Sequence, residues 1–238
     1  MIEMSRRFLR QKLGSPATIF VLCLLALMAS LPLNAGAGFG STDTLAVLML
    51  AAGCVSRDAS SGALQMILSR PLSRTGYLAG RYLGILAALV LFLAGAIAVA
   101  LVLHAVMERI SGGLPHDFSL RAAGLAAGHA LLAGALLAAA ILCFSTFLRG
   151  WGDVLAVVLF FLLFNSMQGL GSTLNLPFLA KAGEFTRSNL APSVVWENVF
   201  AGQDVFGEAT GRYVLALAGY ATLAVVIFSR REFSYGQD

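Results

Sequence analysis

Apolar residues run in long blocks along this chain, and the charged residues gather in the gaps between them. A helix needs about 20 apolar residues to cross the hydrocarbon core of a bilayer. Six blocks read as spans. They cover residues 17–37, broken near the end by Pro32 and Asn34; 45–55, which is short and would have to begin near Phe39 or tilt little; 77–107, longer than a bilayer requires; 122–148; 154–167 or a little beyond; and 213–228. The pattern predicts an all-α integral membrane protein with six transmembrane helices, forming a single transmembrane domain over residues 1–238. Small residues recur within the spans, and Gly124 to Gly128 is a small-xxx-small pattern of the kind that lets helices approach closely in lipid.

Residues 1–16 are different in kind. Ile2, Phe8, Leu9 and Leu13 can share one side of a helix, opposite Arg6, Arg7, Arg10 and Lys12. A signal peptide also places basic residues ahead of an apolar run. Here the basic part is long and amphipathic, and the only cleavage candidate is the weak run at 35–38. The expectation is an N-terminal amphipathic elbow helix on the membrane surface, leading into an uncleaved first span.

Composition agrees: 58% of residues are hydrophobic and 12% charged, against about a quarter charged in soluble domains. Charge then sets the orientation. Segments 1–16, 56–81, 148–153 and 229–238 hold eleven of the sixteen Lys and Arg residues. Positive residues stay on the cytoplasmic side, so both termini are expected inside the inner (cytoplasmic) membrane, with membrane lipid and no nucleic acid as a partner. Cys23, Cys54 and Cys143 lie inside apolar runs without paired spacing or neighbouring histidines. Neither a disulfide framework nor a metal site is expected from them.

One internal loop, 56–81, is long, whereas the next, around Arg149, is barely a turn. Ser60, Ser61 and Gly62 form a helix-start cluster, Leu64, Ile67 and Leu68 fall on one helical face, and Pro71 stops that helix. Ser73 can cap a second helix that runs directly into the third span, leaving an elbow at Arg70–Pro71. Basic residues here would also serve as simple anchors to anionic lipid. Such an anchor needs neither the short helix nor the elbow.

The acid Asp58, the run Gly62-Ala63-Leu64, the elbow Leu68-Ser69-Arg70-Pro71-Leu72-Ser73-Arg74 and the pair Gly80-Arg81 together resemble the permease signature of type-2 ABC exporters. Asp58 stands where that family more often has Glu, Ala63 where Thr is common and Arg81 where Lys is common. The resemblance implies a subunit that pairs with a second copy or a sister permease and binds two cytoplasmic ATPase subunits, which use ATP and Mg. It also implies that the helix around 61–70 is a cytoplasmic coupling helix seated in the ATPase. Asp58, Gly62, Leu64, Ile67, Leu68, Arg70, Pro71 and Arg74 would then form the ATPase-coupling set. Export is the implied direction. The chain's own lysines, Lys12 and Lys181, lie outside any Gly-x-x-x-x-Gly-Lys phosphate loop. It is therefore expected to bind no cofactor and to be no enzyme itself.

The extracytoplasmic loop, 168–212, mixes apolar and polar residues and is punctuated by Pro177 and Pro192. Segments near 174–183 and 192–201 read either as half-helices dipping into the outer leaflet or as a surface-lying subdomain. The family resemblance favours a re-entrant segment. Polar side chains within spans are functional candidates. His129, Asn165 and Gln168 are accordingly candidates for a translocation path, although His129 could equally bond a neighbouring helix. Two other classes compete with the permease: an ATP-independent secondary transporter and a membrane scaffold protein. No internal repeat or mid-span acid of the secondary-transporter kind is visible. A membrane enzyme is disfavoured by the lack of His-Glu-x-x-His and Gly-x-Ser-x-Gly motifs.

Overall fold

A computed structural model describes residues 2–34, 38–39, 42–60, 64, 73–111, 119–148, 152–174, 176–190, 192 and 207–230. Among these residues the chain is helical, without a β-strand. The helices are α1 (Ile2–Leu13), α2 (Pro16–Asn34), α3 (Thr42–Ala51), α4 (Ser56–Ser60), α5 (Arg74–Ser111), α6 (Leu120–Ser145), α7 (Gly152–Thr173), α8 (Pro177–Asn189) and α9 (Glu208–Arg230). Among the described residues four stretches are long and apolar enough to cross a membrane: Pro16–Leu33, Arg74–Ile110, Leu120–Ser145 and Glu208–Arg230. The protein is thus an all-helical membrane protein with several crossing helices. Large apolar side chains such as Phe20, Leu31, Leu91, Val102, Leu215 and Leu223 are exposed along these helices, as lipid, but not water, favours.

Contacts divide the chain into two compact units. The first comprises residues 1–50 and 80–138. Ile85, Leu89, Phe92, Ala96 and Ala100 recur at helical spacing and form the buried stripe of α5. Val47 and Leu50 of α3 and Ala130 and Leu136 of α6 complete this core. Gly134 brings three helices together: a Cβ there would stand 2.5 Å from Leu89 Cδ2 and 3.0 Å from Val47 Cγ2.

The amphipathic α1 belongs to this unit, but its docked face differs from the expected one. Met4 and Phe8, one turn apart, are buried, while Leu9 and Leu13 are half-exposed. Phe8 fits against Gly84 of α5, where a Cβ would approach its Cδ1 to 2.8 Å. The Arg81 guanidinium stands 5.3 Å from the Phe8 ring centroid and donates to Gln11 Oε1 at 3.3 Å. Ser5 Oγ donates to Gly80 O at 2.9 Å. The helical projection of the sequence grouped Phe8 with Leu9 and Leu13. Glycine at 84 instead opens a socket that selects the Met4–Phe8 line.

The second unit comprises residues 51–79 and 139–238. Within it α7 packs on α8, and Tyr220 of α9 donates to Leu190 O at the end of α8 across 3.1 Å. Pro177 opens α8, where its missing N–H costs nothing. This 13-residue helix is longer than the expected half-helix, and α7 continues to Thr173. The 193–201 part of the second expected half-helix lies outside the described residues. The third helix also ends differently from expectation. It stops at Ala51 rather than Val55, because Gly53 adopts φ +64° and turns the chain.

Candidate functional site

The turn that ends α3 opens a polar cluster within the second unit. Its amides do not pair within a helix, so they require acceptors from elsewhere. Gly53 N–H donates to Asp153 Oδ2 at 2.9 Å, and the N–H groups of Val55 and Ser56 both donate to Ser145 Oγ at 3.1 Å. Ser145 closes α6 and Asp153 lies in the first turn of α7, so the short turn expected around Arg149 has a definite task. It presents two acceptors to the start of the 56–81 segment. Both side chains are fully buried, where a hydrogen bond is worth most and its loss costs most.

Next along the chain stands Asp58, only 5% exposed, whose Oδ2 accepts a hydrogen bond from the Tyr77 hydroxyl at 2.7 Å. Tyr77 lies in the first turn of α5 and is fully buried. Its ring stacks on Phe228 of α9, with centroids 5.7 Å apart and planes 13° from parallel. A buried tyrosine needs a partner for its hydroxyl, and Asp58 supplies it.

Arg74 closes the arrangement. Its Nη1 donates to Phe228 O at 3.3 Å and Ser229 O at 2.6 Å. The last carbonyls of a helix have no partner inside it and carry its negative dipole end. A guanidinium placed there both bonds the carbonyls and matches their charge. Ser73 caps α5, as expected, by accepting the Gly76 N–H on its Oγ at 3.1 Å.

Two members of the expected coupling set, Asp58 and Arg74, thus each meet one residue of the stacked pair, Asp58 the Tyr77 hydroxyl and Arg74 the Phe228 carbonyl. Leu64 is buried. Gly62, Ile67, Leu68, Arg70 and Pro71 lie outside the described residues. Of the elbow cations, Arg6, Arg7 and Arg10 are exposed, Arg7 pairing with Glu3 at 3.0 Å. Lys12 donates to Met49 O at 3.4 Å. His129 is exposed on α6 in the first unit, whereas Asn165 and Gln168 belong to α7 in the second. The side chains of Asn165 and Gln168 lie outside the description.

Sequence reasoning missed Tyr77, Phe228, Ser145 and Asp153. Each sits at the edge of an apolar block. The only available signal was polarity at those edges: a tyrosine hydroxyl and an aspartate that burial would force into hydrogen bonds.

The cluster's carboxylates accept hydrogen bonds from the turn and from Tyr77, and among the described residues no group of three His, Cys, Asp or Glu side chains could hold a metal ion. What it can do is mechanical: fasten both flanks of the 59–73 segment to the ends of α5, α6, α7 and α9. No protein-family model, curated protein or solved structure matches this chain.

Proposed function

We propose that this chain is the membrane-spanning permease subunit of an ATP-driven ABC exporter, coupled to a separate cytoplasmic ATPase. Helices α2, α5, α6, α7 and α9 serve as five of its six spans, the ten-residue α3 forms only part of the remaining one, α1 is the surface elbow, and 61–70 the coupling helix. Both termini lie in the cytoplasm of the cell whose inner membrane holds it. A second copy or a sister permease completes the translocation unit.

The observation that carries this reading is the chain of contacts Asp58–Tyr77–Phe228–Arg74. A segment that receives force from a soluble partner must pass it to the spans without slack. Here Asp58, before the segment, accepts from the buried Tyr77, which stacks on Phe228 of α9, and Arg74, after the segment, bonds the last carbonyls of α9. Rigid-body displacement can follow from such an attachment, whereas a lipid anchor has no use for it. The Ser-Arg-Pro-Leu-Ser-Arg elbow lies between those two flanks, and its arginines are suited to acidic groups of the ATPase.

The test is purification of the tagged full-length chain from its native membrane in mild detergent. The reading expects an ATPase with a phosphate loop, identified by mass spectrometry, in equal amount to the permease. A chain that purifies without any nucleotide-hydrolysing subunit, yet transports, overturns it.

A further inference from the structure

Two contacts set how α3 runs beside α6 within the first unit. A Cβ on Gly38, in the turn before α3, would stand 3.7 Å from Ala126 Cβ, and one on Gly134 would stand 3.0 Å from Val47 Cγ2. Residue numbers rise together along both helices, so Asp43 of α3 falls level with His129 of α6. The histidine also acts electrostatically on the Asp43 carboxylate, whose Oδ1 accepts the Thr44 N–H at 2.7 Å. The elbow helix α1 lies at the opposite end of this unit, where Lys12 donates to Met49 O and Ser5 to Gly80 O.

The depth of this level decides what surrounds it. With 26 residues, α6 is about 38 Å long and overhangs a ~30 Å hydrocarbon core by roughly 4 Å at each end. Its exposed Arg121 marks the polar end. Ala126 then lies about 9 Å, and His129 about 13 Å, below Leu120. The turn at Gly38 and the level of Asp43 and His129 are therefore both inside the core. Gly38 is half-exposed, and Thr44 and His129 are exposed. Non-helical backbone at such depth is tolerated only where protein buries it or water reaches it. Ionisable side chains there face the protein interior or a water-filled cavity. Their exposure excludes burial within this chain, which leaves water. We propose that a water-filled recess, open on the side of the membrane away from α1, descends to the start of α3 and is floored by Asp43, Thr44 and His129. On the permease reading, this recess is the outward part of the translocation path and admits hydrated polar groups. It rests on α6 crossing the membrane, but not on the ATPase partner.

Thiol accessibility in the full-length chain tests the recess. Cys23, Cys54 and Cys143 are replaced by alanine, and Asp43→Cys, Thr44→Cys and His129→Cys are made one at a time. Met28, exposed on α2, supplies the lipid-facing control as Met28→Cys. Sealed vesicles of known orientation are treated with a charged, membrane-impermeant maleimide on either side. Only a thiolate reacts and apolar surroundings suppress it, so the three recess positions should label at least about tenfold faster than Met28→Cys. They should do so only from the side away from α1. A second readout needs no variant. In lipid nanodiscs of the unaltered chain, the amides of residues 43–45 should exchange with deuterium well ahead of those of residues 47–50. Labelling no faster than at Met28→Cys, labelling from the side of α1, or uniformly slow exchange each overturns the recess. Labelling that appears only once a dimer is dissociated also overturns it, in favour of contact between copies. None of these results touches ATPase co-purification, so the two readings fail separately.

Discussion

The Tyr77 hydroxyl donates to the Asp58 carboxylate across 2.7 Å, joining the first turn of a long crossing helix to the residue that precedes the basic loop. Tyr77→Phe keeps the stack on Phe228 and removes this bond from a carboxylate that is 5% exposed. Withdrawing one partner from a buried polar group costs about 1–3 kcal/mol. In a double-mutant cycle with Asp58→Ala, the coupling between the two positions should fall between about 0.5 and 3 kcal/mol. Unfolding midpoints in detergent measure it, and simple additivity of the two substitutions would show that the bond is not made.

The turn after α3 gives a second expectation. Gly53 holds φ +64°, a conformation that costs an L-residue roughly 1–2 kcal/mol. Gly53→Ala should destabilise by about that amount, although the space around its Cα is adequate. Ser145→Ala removes the acceptor shared by the Val55 and Ser56 amides and should cost about 1–3 kcal/mol. Amide hydrogen exchange should quicken at Val55 and Ser56 in Ser145→Ala.

Two glycines of α5 should behave oppositely. Gly84→Ala drives a methyl group to 2.8 Å from the buried Phe8 ring, and such overpacking costs about 1–3 kcal/mol. The elbow helix should loosen, which hydrogen exchange over residues 2–13 would report. Gly95→Ala meets open space and should be neutral or stabilising by a few tenths of a kcal/mol, because alanine is the better helix former. Equal behaviour of the two variants would contradict the docking of Phe8 against Gly84.

Apolar block length made most of the helices legible. Residues 77–107 and 122–148 lie within or close to α5 and α6, and Ser73 caps the helix it was expected to cap. What the sequence hid was pairing over distance. Asp58 and Arg74 carry a local motif, but their partners Tyr77, Phe228 and Ser229 are distinguished by burial and stacking alone, which no spacing rule encodes. Helical projection also misjudged α1, since a 3.6-residue period groups Phe8 with either Met4 or Leu9 and Leu13. The choice was made by a glycine more than seventy positions away. His129, a candidate for a translocation path or for a bond to a neighbouring helix, has its side chain exposed on α6.

On the proposed permease reading, Arg70 and Arg74 would divide two tasks that the elbow motif runs together. Arg74 bonds the last carbonyls of α9, so Arg74→Glu should disturb both the permease and its attachment to the ATPase. Arg70→Glu should act on attachment alone, leaving insertion and the unfolding midpoint unchanged. Size-exclusion chromatography of each variant in detergent, with the midpoint measured alongside, distinguishes them.

The most direct measurement is the molar ratio of a phosphate-loop ATPase to this chain after purification of wild type and Arg70→Glu from the native membrane. The account predicts a ratio near one for wild type and a loss of at least tenfold for Arg70→Glu, with equal amounts of permease in the membrane. A wild-type ratio of zero, or an Arg70→Glu complex that stays whole and transports normally, would contradict it.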